Sequence, residues 1–216
     1  REAFLLVLRE MAVVPQPFDE ERDWAEISDF LQATAFFSEN DLVPWREARR
    51  GISLVAGESL VQAGEVCRQI AFIHEGAFSF LVIPADGTLH VKDFSVARKF
   101  VTAYTSLITQ RPAQFTIRAE QPSRLSVWPH ELYRHLTESS LAWSRFGLRM
   151  AEYLFLRKEQ RELSLLLETA EQRYKRLLRD FPEITRQVPQ YLIASYLGIQ
   201  PESLSRIRKH LAASGS

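Results

Sequence analysis

A helical pattern near the C-terminus is interrupted once and then resumes, and this interruption leaves few local folds open. The stretch runs QYLIASYLGIQPESLSRIRK from Gln190 to Lys209. Gly198 ends the first run of helically spaced apolar residues, because glycine accepts the left-handed conformation that closes a helix. Pro201 suits the first turn of a second helix, where its missing N–H costs nothing. We therefore predict two short helices joined by a tight turn.

The spacing of small and apolar residues in this stretch matches the helix-turn-helix motif. The motif takes alanine at its fifth place, glycine at its ninth, and apolar residues at its fourth, eighth, tenth, fifteenth and eighteenth. Counted from Gln190, all seven places agree, with Ile193, Ala194, Leu197, Gly198, Ile199, Leu204 and Ile207. The alternative is a solvated helical hairpin with incidental charge, and the seven matches favour the DNA-binding motif.

The outward face of the second helix would carry polar and basic side chains to DNA. Arg206 can bind guanine through two hydrogen bonds, and Glu202 can accept one from cytosine. The two serines beside them can bind bases or phosphates. Residues at the start of the first helix and late in the second would hold phosphates. The predicted DNA contacts are Gln190, Tyr191, Glu202, Ser203, Ser205, Arg206, Arg208 and Lys209.

Charge is distributed unevenly along a chain whose formal net charge is zero. Residues 1–50 hold eleven acids and six bases, whereas residues 171–210 hold eight bases and four acids. The net charge of the whole chain predicts no nucleic-acid partner, but the basic C-terminal part is compatible with one.

Residues 51–129 read as a β domain. Glycines 51, 57, 64, 76 and 87 separate short runs rich in Val, Ile, Phe and Leu. Strands of this length, with regularly spaced turns, indicate a sandwich or barrel. Pro84-Ala-Asp-Gly87 is a turn sequence, so residues 77–96 should form a hairpin. Residues 18–50 before this domain have helical spacing.

A stretch without proline, roughly residues 138–168, predicts one long helix of about 45 Å. It could lie on its own domain or form a dimer seam, and its length favours the seam. Its helically spaced apolar residues are Leu141, Phe146, Met150, Tyr153, Leu154, Leu163 and Leu167. A second helix at about 170–180 should end before Phe181-Pro182, since a residue before proline resists the helical conformation.

Several classes of protein are not expected. Cys67 is the single cysteine, so the chain can form no internal disulfide and suits a reducing, cytoplasmic compartment. No apolar run reaches about 18 residues, which predicts no membrane span. The histidines lack ligand spacing, so no metal site is expected; they are His74, His90, His130, His135 and His210. No nucleophile triad, P-loop or dinucleotide-binding motif appears, so we expect no enzyme.

The chain resembles the catabolite-activator / fumarate-nitrate regulator (Crp/Fnr) superfamily over about residues 40–211. GESLVQAGEVCRQIAFIHEGAF (57–78) resembles the entry to a cyclic-nucleotide-binding β-roll, and VPQYLIASYLGIQPESLSRIRKHL (188–211) resembles the motif of Bacteroidetes-type members. The resemblance implies an α+β fold: an N-terminal jelly-roll (a double-stranded β-helix), a long dimerisation helix and a C-terminal helix-turn-helix. It also places Glu202 and Arg206 at base-contacting positions, and Pro201 where well-known members carry a basic residue.

The implied domains are an N-terminal helical segment (1–50), a β-roll (51–136), a dimerisation helix (137–168) and a helix-turn-helix domain (169–216). Residues 1–10 precede the only early methionine, Met11, and are expected to be non-native. Only Ala212–Ser216 follow the second helix, which is too short for the β-hairpin wing of many members. The wing is expected to be naturally missing or truncated.

The phosphate-binding cassette of cyclic-AMP binders is degenerate in this chain. Its region reads FVTAYTSLITQRPAQFTIRA (100–119), with Ala113 near the place of the essential arginine. A phosphate without that arginine loses a charge-assisted, bidentate contact, so cyclic AMP is not the expected effector. Effector-pocket candidates are Thr102, Tyr104, Gln114 and Phe115. No cofactor is predicted and the effector is unknown.

The sequence thus predicts a homodimeric transcriptional regulator that binds double-stranded DNA and responds to a small molecule. RNA polymerase is a further partner that the resemblance implies. The alternative is a small-molecule-binding roll whose C-terminal module contacts protein rather than DNA.

Overall fold

The computed structural model describes residues 17–214 of the 216-residue chain. In chain order its helices are α1 (Glu20–Thr34), α2 (Glu39–Glu47), α3 (Tyr104–Thr109), α4 (His130–Ser139), α5 (Leu141–Leu167), α6 (Ala170–Asp180), α7 (Ile184–Gln187), α8 (Gln190–Leu197) and α9 (Pro201–Ser214). Its strands are β1 (Arg50–Leu54), β2 (Ser59–Val61), β3 (Gln69–Glu75), β4 (Ala77–Val82), β5 (His90–Val96), β6 (Lys99–Val101), β7 (Thr116–Ala119) and β8 (Ser123–Pro129). The expectation about residues 1–10 lies outside the described residues, as do residues 215–216 of the tail.

The strands form two four-stranded antiparallel sheets, ordered β1-β8-β3-β6 and β2-β7-β4-β5. Residues 77–96 form the predicted hairpin, since Ala77 pairs with Val96 and Val82 with His90. Apolar side chains of both sheets, such as Phe72, Phe78 and Leu125, belong to one buried core. The β domain is therefore the two-layered sandwich that the glycine-separated strands predict, and it agrees with the jelly-roll that the resemblance implies.

The N-terminal helices close one end of the roll through tryptophan. The rings of Trp45 and Trp128 stack with centroids 4.4 Å apart, and Trp128 Nε1 donates to the carbonyl of Trp45 at 2.6 Å. Trp143, at the start of α5, lies 4.7 Å from Trp45. The three rings join α2, β8 and α5 into one core.

The long helix begins later in the chain than predicted. Residues 137–139 end helix α4, and Ser140 adopts an extended conformation (φ −116°, ψ 130°) before α5 begins at Leu141. The Ser140 hydroxyl accepts from the backbone N–H of Trp143 at 3.5 Å. The absence of proline had predicted one helix over roughly residues 138–168, but this N-cap divides the stretch between two helices.

One side of α5 packs on the roll, and the opposite side carries exposed apolar residues. Phe146, predicted to lie in the seam, is fully buried against Trp143 and Phe37 and belongs to the core instead. The exposed large apolar side chains of this helix are Leu141, Leu148, Tyr153, Phe155, Leu156, Leu163, Leu165, Leu166 and Leu167.

Candidate nucleic-acid interface

Helices α8 and α9 form the predicted helix-turn-helix unit. Gly198 takes the left-handed conformation (φ 68°) at the end of α8. The N–H of Ile199 then donates to the carbonyl of Ala194 at 3.1 Å. Pro201 is the first residue of α9. Gly198 therefore ends the first helix and Pro201 begins the second, as the sequence predicts.

The motif's apolar positions hold the two helices against the rest of the C-terminal domain. Leu192, Ile193, Ala194, Leu197 and Leu204 are buried. They share one core with α6 and α7, to which Tyr174, Leu177, Phe181, Ile184 and Val188 contribute. Packing thus fixes which side of α9 faces outward.

The outward side of α9 carries most of the predicted DNA-contacting side chains. Glu202, Ser205, Arg206, Arg208 and Lys209 are exposed, and Ser203 is half-buried. Arg206 Nη2 donates to Ser203 Oγ at 3.3 Å. Within residues 17–214, none of the basic side chains of Arg206, Arg208 and Lys209 forms an ion pair with an acid. Their charge is therefore available to an anionic partner.

A groove with a volume of about 410 Å³ lies where the start of α8 meets α9. It is lined by Gln190, Pro201, Leu204, Ser205, Arg208, Lys209 and Ala212. Four predicted DNA-contacting residues meet here: Gln190, Ser205, Arg208 and Lys209. Gln190 Oε1 is buried, and no hydrogen-bond donor of the described residues reaches it.

Tyr191 occupies a different place from the other predicted contacts. Its side chain is half exposed and lies close to Arg118 on β7 of the roll. Arg118 also pairs with Glu120 at 3.0 Å. Burial alone would lower the pKa of Arg118, but Glu120 and Tyr191 raise it overall. The structure thus places Tyr191 beside the roll rather than in the groove.

Helix α8 packs directly on strand β5 at the edge of the second sheet. Ser195 Oγ accepts the N–H of Val91 at 3.0 Å and donates to the carbonyl of Leu89 at 3.1 Å. Val91 and Phe94 of this strand are buried in the same core as the helix-turn-helix. Sequence reasoning missed Ser195, because its partners lie more than 100 residues away.

The same strand is tied to the long helix by an ion pair. Arg157 on α5 donates to both carboxylate oxygens of Asp93, at 2.8 and 2.5 Å. Burial alone would lower the pKa of Arg157, but the hydrogen bond and charge of Asp93 raise it overall. Two further arginines, Arg161 and Arg173, donate to the carbonyls of Tyr196 and Leu197 at the end of α8. Cations at a helix C-terminus satisfy its last carbonyls and its dipole.

Comparison with solved structures places this arrangement among known folds. The chain is similar to FixK2 from Bradyrhizobium japonicum, at 17% identity and a TM-score of 0.66, over 77% of this chain and 86% of that one. A putative Crp/Fnr-family regulator from Eubacterium rectale matches at 13% identity and a TM-score of 0.66, over 83% and 85%. The chain has the fold of the Crp/Fnr regulators. The c-di-GMP responsive global regulator CLP of Xanthomonas campestris also shares this fold, at 16% identity and a TM-score of 0.62, over 82% and 93%.

The Crp/Fnr fold confirms the predicted α+β architecture of roll, long helix and helix-turn-helix. No family model matches the chain, and no curated protein matches it in sequence. Two of these solved neighbours, CLP and the Eubacterium rectale protein, are described as regulators. Within residues 17–214, no helix combines the length and apolarity needed to cross a membrane.

The four residues predicted to line an effector pocket differ in their contacts and exposure. Thr102 Oγ1 donates to the carbonyl of Gln69 at 2.9 Å. Tyr104 lies close to Tyr133, whose pKa is raised chiefly by burial. Phe115 packs against Phe80 with ring centroids 5.6 Å apart, and Gln114 is exposed.

The loop at residues 65–69 packs against the short helix α3 of the cassette region. Ser106 Oγ accepts the N–H of Cys67 at 2.9 Å and donates to the carbonyl of Arg111 at 2.5 Å. The Gln110 amide donates to the carbonyl of Cys67 at 3.4 Å. A cavity of about 190 Å³ borders this loop, lined by Leu60, Val61, Glu65, Val66, Cys67, Arg68 and Gln69. None of the four predicted residues lines it.

Proposed function

We propose that the chain is a sequence-specific, DNA-binding transcriptional regulator of the Crp/Fnr type, with α9 as its recognition helix. The observation that carries this proposal is the outward face of α9. Three basic side chains lie there without acidic partners among the described residues, on a helix held rigidly by its apolar side. A clustered basic face on a packed helix is the electrostatic signature of DNA binding.

Different parts of this face suit different parts of DNA. Glu202, Ser203 and Arg206 lie in the first two turns of α9, which enter the major groove in helix-turn-helix complexes. Arg206 would bind guanine and Glu202 a cytosine amine. Arg208 and Lys209, together with Gln190 across the groove, would hold phosphates.

A homodimer follows from the exposed apolar side of α5. At 100° per residue, Leu148, Phe155, Leu156, Leu163 and Leu166 fall within an arc of about 100°. Each is at least 49% exposed. Contiguous apolar surface of this kind marks an interaction site. Pairing of two α5 helices would place two recognition helices about 34 Å apart, to match successive major grooves.

Strand β5 offers the route from an effector to the DNA-binding domain. It contacts the long helix through Asp93 and the helix-turn-helix through Ser195. A small molecule bound in the roll would act on DNA affinity by favouring one arrangement of these contacts.

CLP is described as c-di-GMP responsive, but the cassette region of this chain lacks the arginine that binds a cyclic phosphate. We propose a different effector, action in the cytoplasm, and RNA polymerase as a partner at promoters.

The test is fluorescence anisotropy with duplexes selected by the protein from a random pool, at graded salt from about 50 to 200 mM. We expect affinity to fall steeply with salt. Arg206→Ala should lose about ten- to a hundredfold at selected sites and relax one base preference. Arg208→Ala should weaken all sequences alike and lower the salt slope by about one.

The matched control is Arg186→Ala, because Arg186 is an exposed arginine of the same domain that lies outside α9 and pairs with Glu183. It should bind DNA like the wild type. Salt-independent or absent binding by a folded dimer would overturn the proposal and favour a protein-interaction module.

A further inference from the structure

Three metal-ligating side chains meet where helix α1 packs on strand β3. Asp23 and Glu26 are three residues apart on α1 and so share one face of the helix. Their carboxylates and the imidazole of His74 on β3 place one donor atom each within 4.8 Å of one another. His74 Nδ1 lies 2.9 Å from Glu26 Oε2 and 3.9 Å from Asp23 Oδ1.

One oxygen of this cluster is buried without a hydrogen bond. The Asp23 side chain is fully buried. Its Oδ2 accepts from Arg124 Nη1 at 2.5 Å, whereas no hydrogen-bond donor of residues 17–214 reaches Oδ1. Arg22 Nε lies 3.7 Å from Oδ1, which is an ion pair but too long for a hydrogen bond. A buried carboxylate oxygen left without a hydrogen bond is costly.

Surrounding contacts hold two of the three ligands by the atom that faces away from the cluster. His74 Nε2 lies 2.9 Å from Ser126 Oγ, so the ring can donate there and offer Nδ1 as a ligand. Arg124 fixes Asp23 through Oδ2 and leaves Oδ1 toward His74. Outer hydrogen bonds of this kind orient metal ligands in protein sites.

The donor set and its spacing suit a small divalent ion. Metal bonds of about 2.0–2.2 Å to nitrogen and carboxylate oxygen place neighbouring ligand atoms about 3.0–3.5 Å apart. A shift of less than about 1 Å in Asp23 would bring its 3.9 Å separation into this range. The Glu26 side chain is 22% exposed, which leaves an entry path and open coordination positions on its side.

Nearby arginines limit the charge that the cluster can hold. Arg124 is shared between Asp23 and Glu75, and Arg49 lies 4.0 Å from Asp23 Oδ2. Arg22 Nε lies 3.7 Å from Asp23 Oδ1, and Arg98 Nη2 lies 4.0 Å from Glu26 Oε1. These four cations face the three carboxylates of Asp23, Glu26 and Glu75, so a metal ion would be held by direct bonds to its ligands rather than by surplus negative charge.

We propose that Asp23, Glu26 and His74 form a binding site for one divalent transition-metal ion, coordinated by one imidazole nitrogen and two carboxylate oxygens. Histidine spacing along the sequence gave no sign of it, because the ligands come from two elements 48 residues apart. The site lies on the roll and its N-terminal helix, apart from α8 and α9. It therefore does not depend on the proposed DNA-binding function.

The test uses the full chain after dialysis against a chelator, titrated with Zn²⁺ and separately with Co²⁺. We expect saturable binding of one ion per chain, a rise in Tm with metal concentration, and visible absorption from bound Co²⁺. X-ray absorption on the wild-type protein should find nitrogen and oxygen ligands with one imidazole. A shell that contains sulfur or several imidazoles would overturn the proposal even if every variant failed to fold.

Glu26→Gln is the decisive variant, since it keeps a hydrogen-bonding group of the same size on a partly exposed side chain. It should bind Zn²⁺ at least tenfold more weakly. Two controls should bind like the wild type: Glu21→Gln on the same helix, whose side chain is 85% exposed, and His90→Gln, which removes an exposed imidazole elsewhere. Absence of one-to-one binding, or wild-type affinity in Glu26→Gln, would refute the site.

Discussion

The hydroxyl of Ser195, on the first helix of the helix-turn-helix, donates to the main-chain carbonyl of Leu89 beside strand β5 at 3.1 Å. The same oxygen accepts the N–H of Val91 at 3.0 Å. Strand β5 lies at the edge of its sheet, so no further strand of residues 17–214 pairs with its outward backbone groups. One serine thus satisfies two edge groups and joins the DNA-binding domain to the roll.

Replacing Ser195 with alanine should loosen this contact. The N–H of Val91 and the carbonyl of Leu89 would lose their partner in a largely buried contact, which costs about 1–3 kcal/mol of unfolding free energy. Denaturant unfolding measures that loss, and hydrogen exchange should show weaker protection of the Val91 amide. Ser205→Ala, at an exposed position of α9, should change stability by less than about 0.5 kcal/mol. Unchanged protection at Val91 would contradict the assigned contact.

A charge on the exposed apolar side of α5 should separate the dimer. Phe155 is 65% exposed on the side opposite the buried Phe146. Phe155→Glu would place a carboxylate in the proposed apolar seam, where an unpaired charge is unfavourable. Sedimentation equilibrium should find a monomer, and affinity for a two-fold symmetric DNA site should fall.

Ile83→Glu is the control for this prediction. Ile83 is 59% exposed and follows β4 in the turn of the β4–β5 hairpin, outside α5. This variant should remain dimeric. A dimeric Phe155→Glu protein, or a monomeric wild type, would show that α5 does not form the interface.

The helix-turn-helix could be predicted from sequence because its determinants are local. Gly198 and Pro201 act on the residues next to them, through backbone conformation and a missing N–H. The helical period then assigns the buried and exposed sides of α9, and the residues expected on its outward side are exposed or half-buried. Tyr191 on α8 lies beside Arg118 of a distant strand, which no local pattern indicates. The DNA contacts of all these residues stay predictions.

Features that depend on distant contacts could not be predicted in the same way. Helical spacing groups Phe146 with the apolar residues of α5, but only the positions of Phe37 and Trp143 decide that it faces the core. The cluster of Asp23, Glu26 and His74 arises from packing of α1 on β3. Residues this far apart carry no shared period, so their proximity follows from the fold alone.

The Asp41 carboxylate joins the N-terminal ends of two helices. Its replacement should lower stability more at neutral than at acidic pH. Its carboxylate accepts from Ser38 Oγ at 2.6 Å in the capping box of α2, and from Ser140 Oγ, at the N-cap of α5, at 2.9 Å. These bonds, those of Ser38 first, hold the pKa of Asp41 below its ordinary value of 3.8. Asp41→Asn should cost about 0.5–2 kcal/mol at pH 7.

The pH dependence of that cost follows from the lowered pKa. The carboxylate's stabilising effect is complete above pH 3.8 and is lost as pH falls through the lower folded-state value. The stability difference between wild type and Asp41→Asn should therefore shrink below about pH 4 in denaturant titrations. Asp29→Asn, at an exposed aspartate of α1, should change stability by less than about 0.5 kcal/mol. A constant Asp41→Asn difference down to pH 3 would contradict the capping role.

Two turn glycines with positive φ should respond very differently to alanine. Gly76 (φ 113°) joins β3 to β4, and a Cβ there would lie 2.0 Å from Ser123 Oγ and 3.0 Å from the Ser123 backbone. Gly87 (φ 80°) lies in the β4–β5 turn, where a Cβ would meet nothing within 4 Å. Gly87→Ala should cost about 1–2 kcal/mol from backbone conformation alone. Gly76→Ala adds a clash with a buried strand, which must move, so its loss should exceed that of Gly87→Ala by at least about 1 kcal/mol. Thermal and urea unfolding of the two variants measures this difference, and equal losses would mean that the β3–β4 turn is not packed as tightly against β8 as the structure has it.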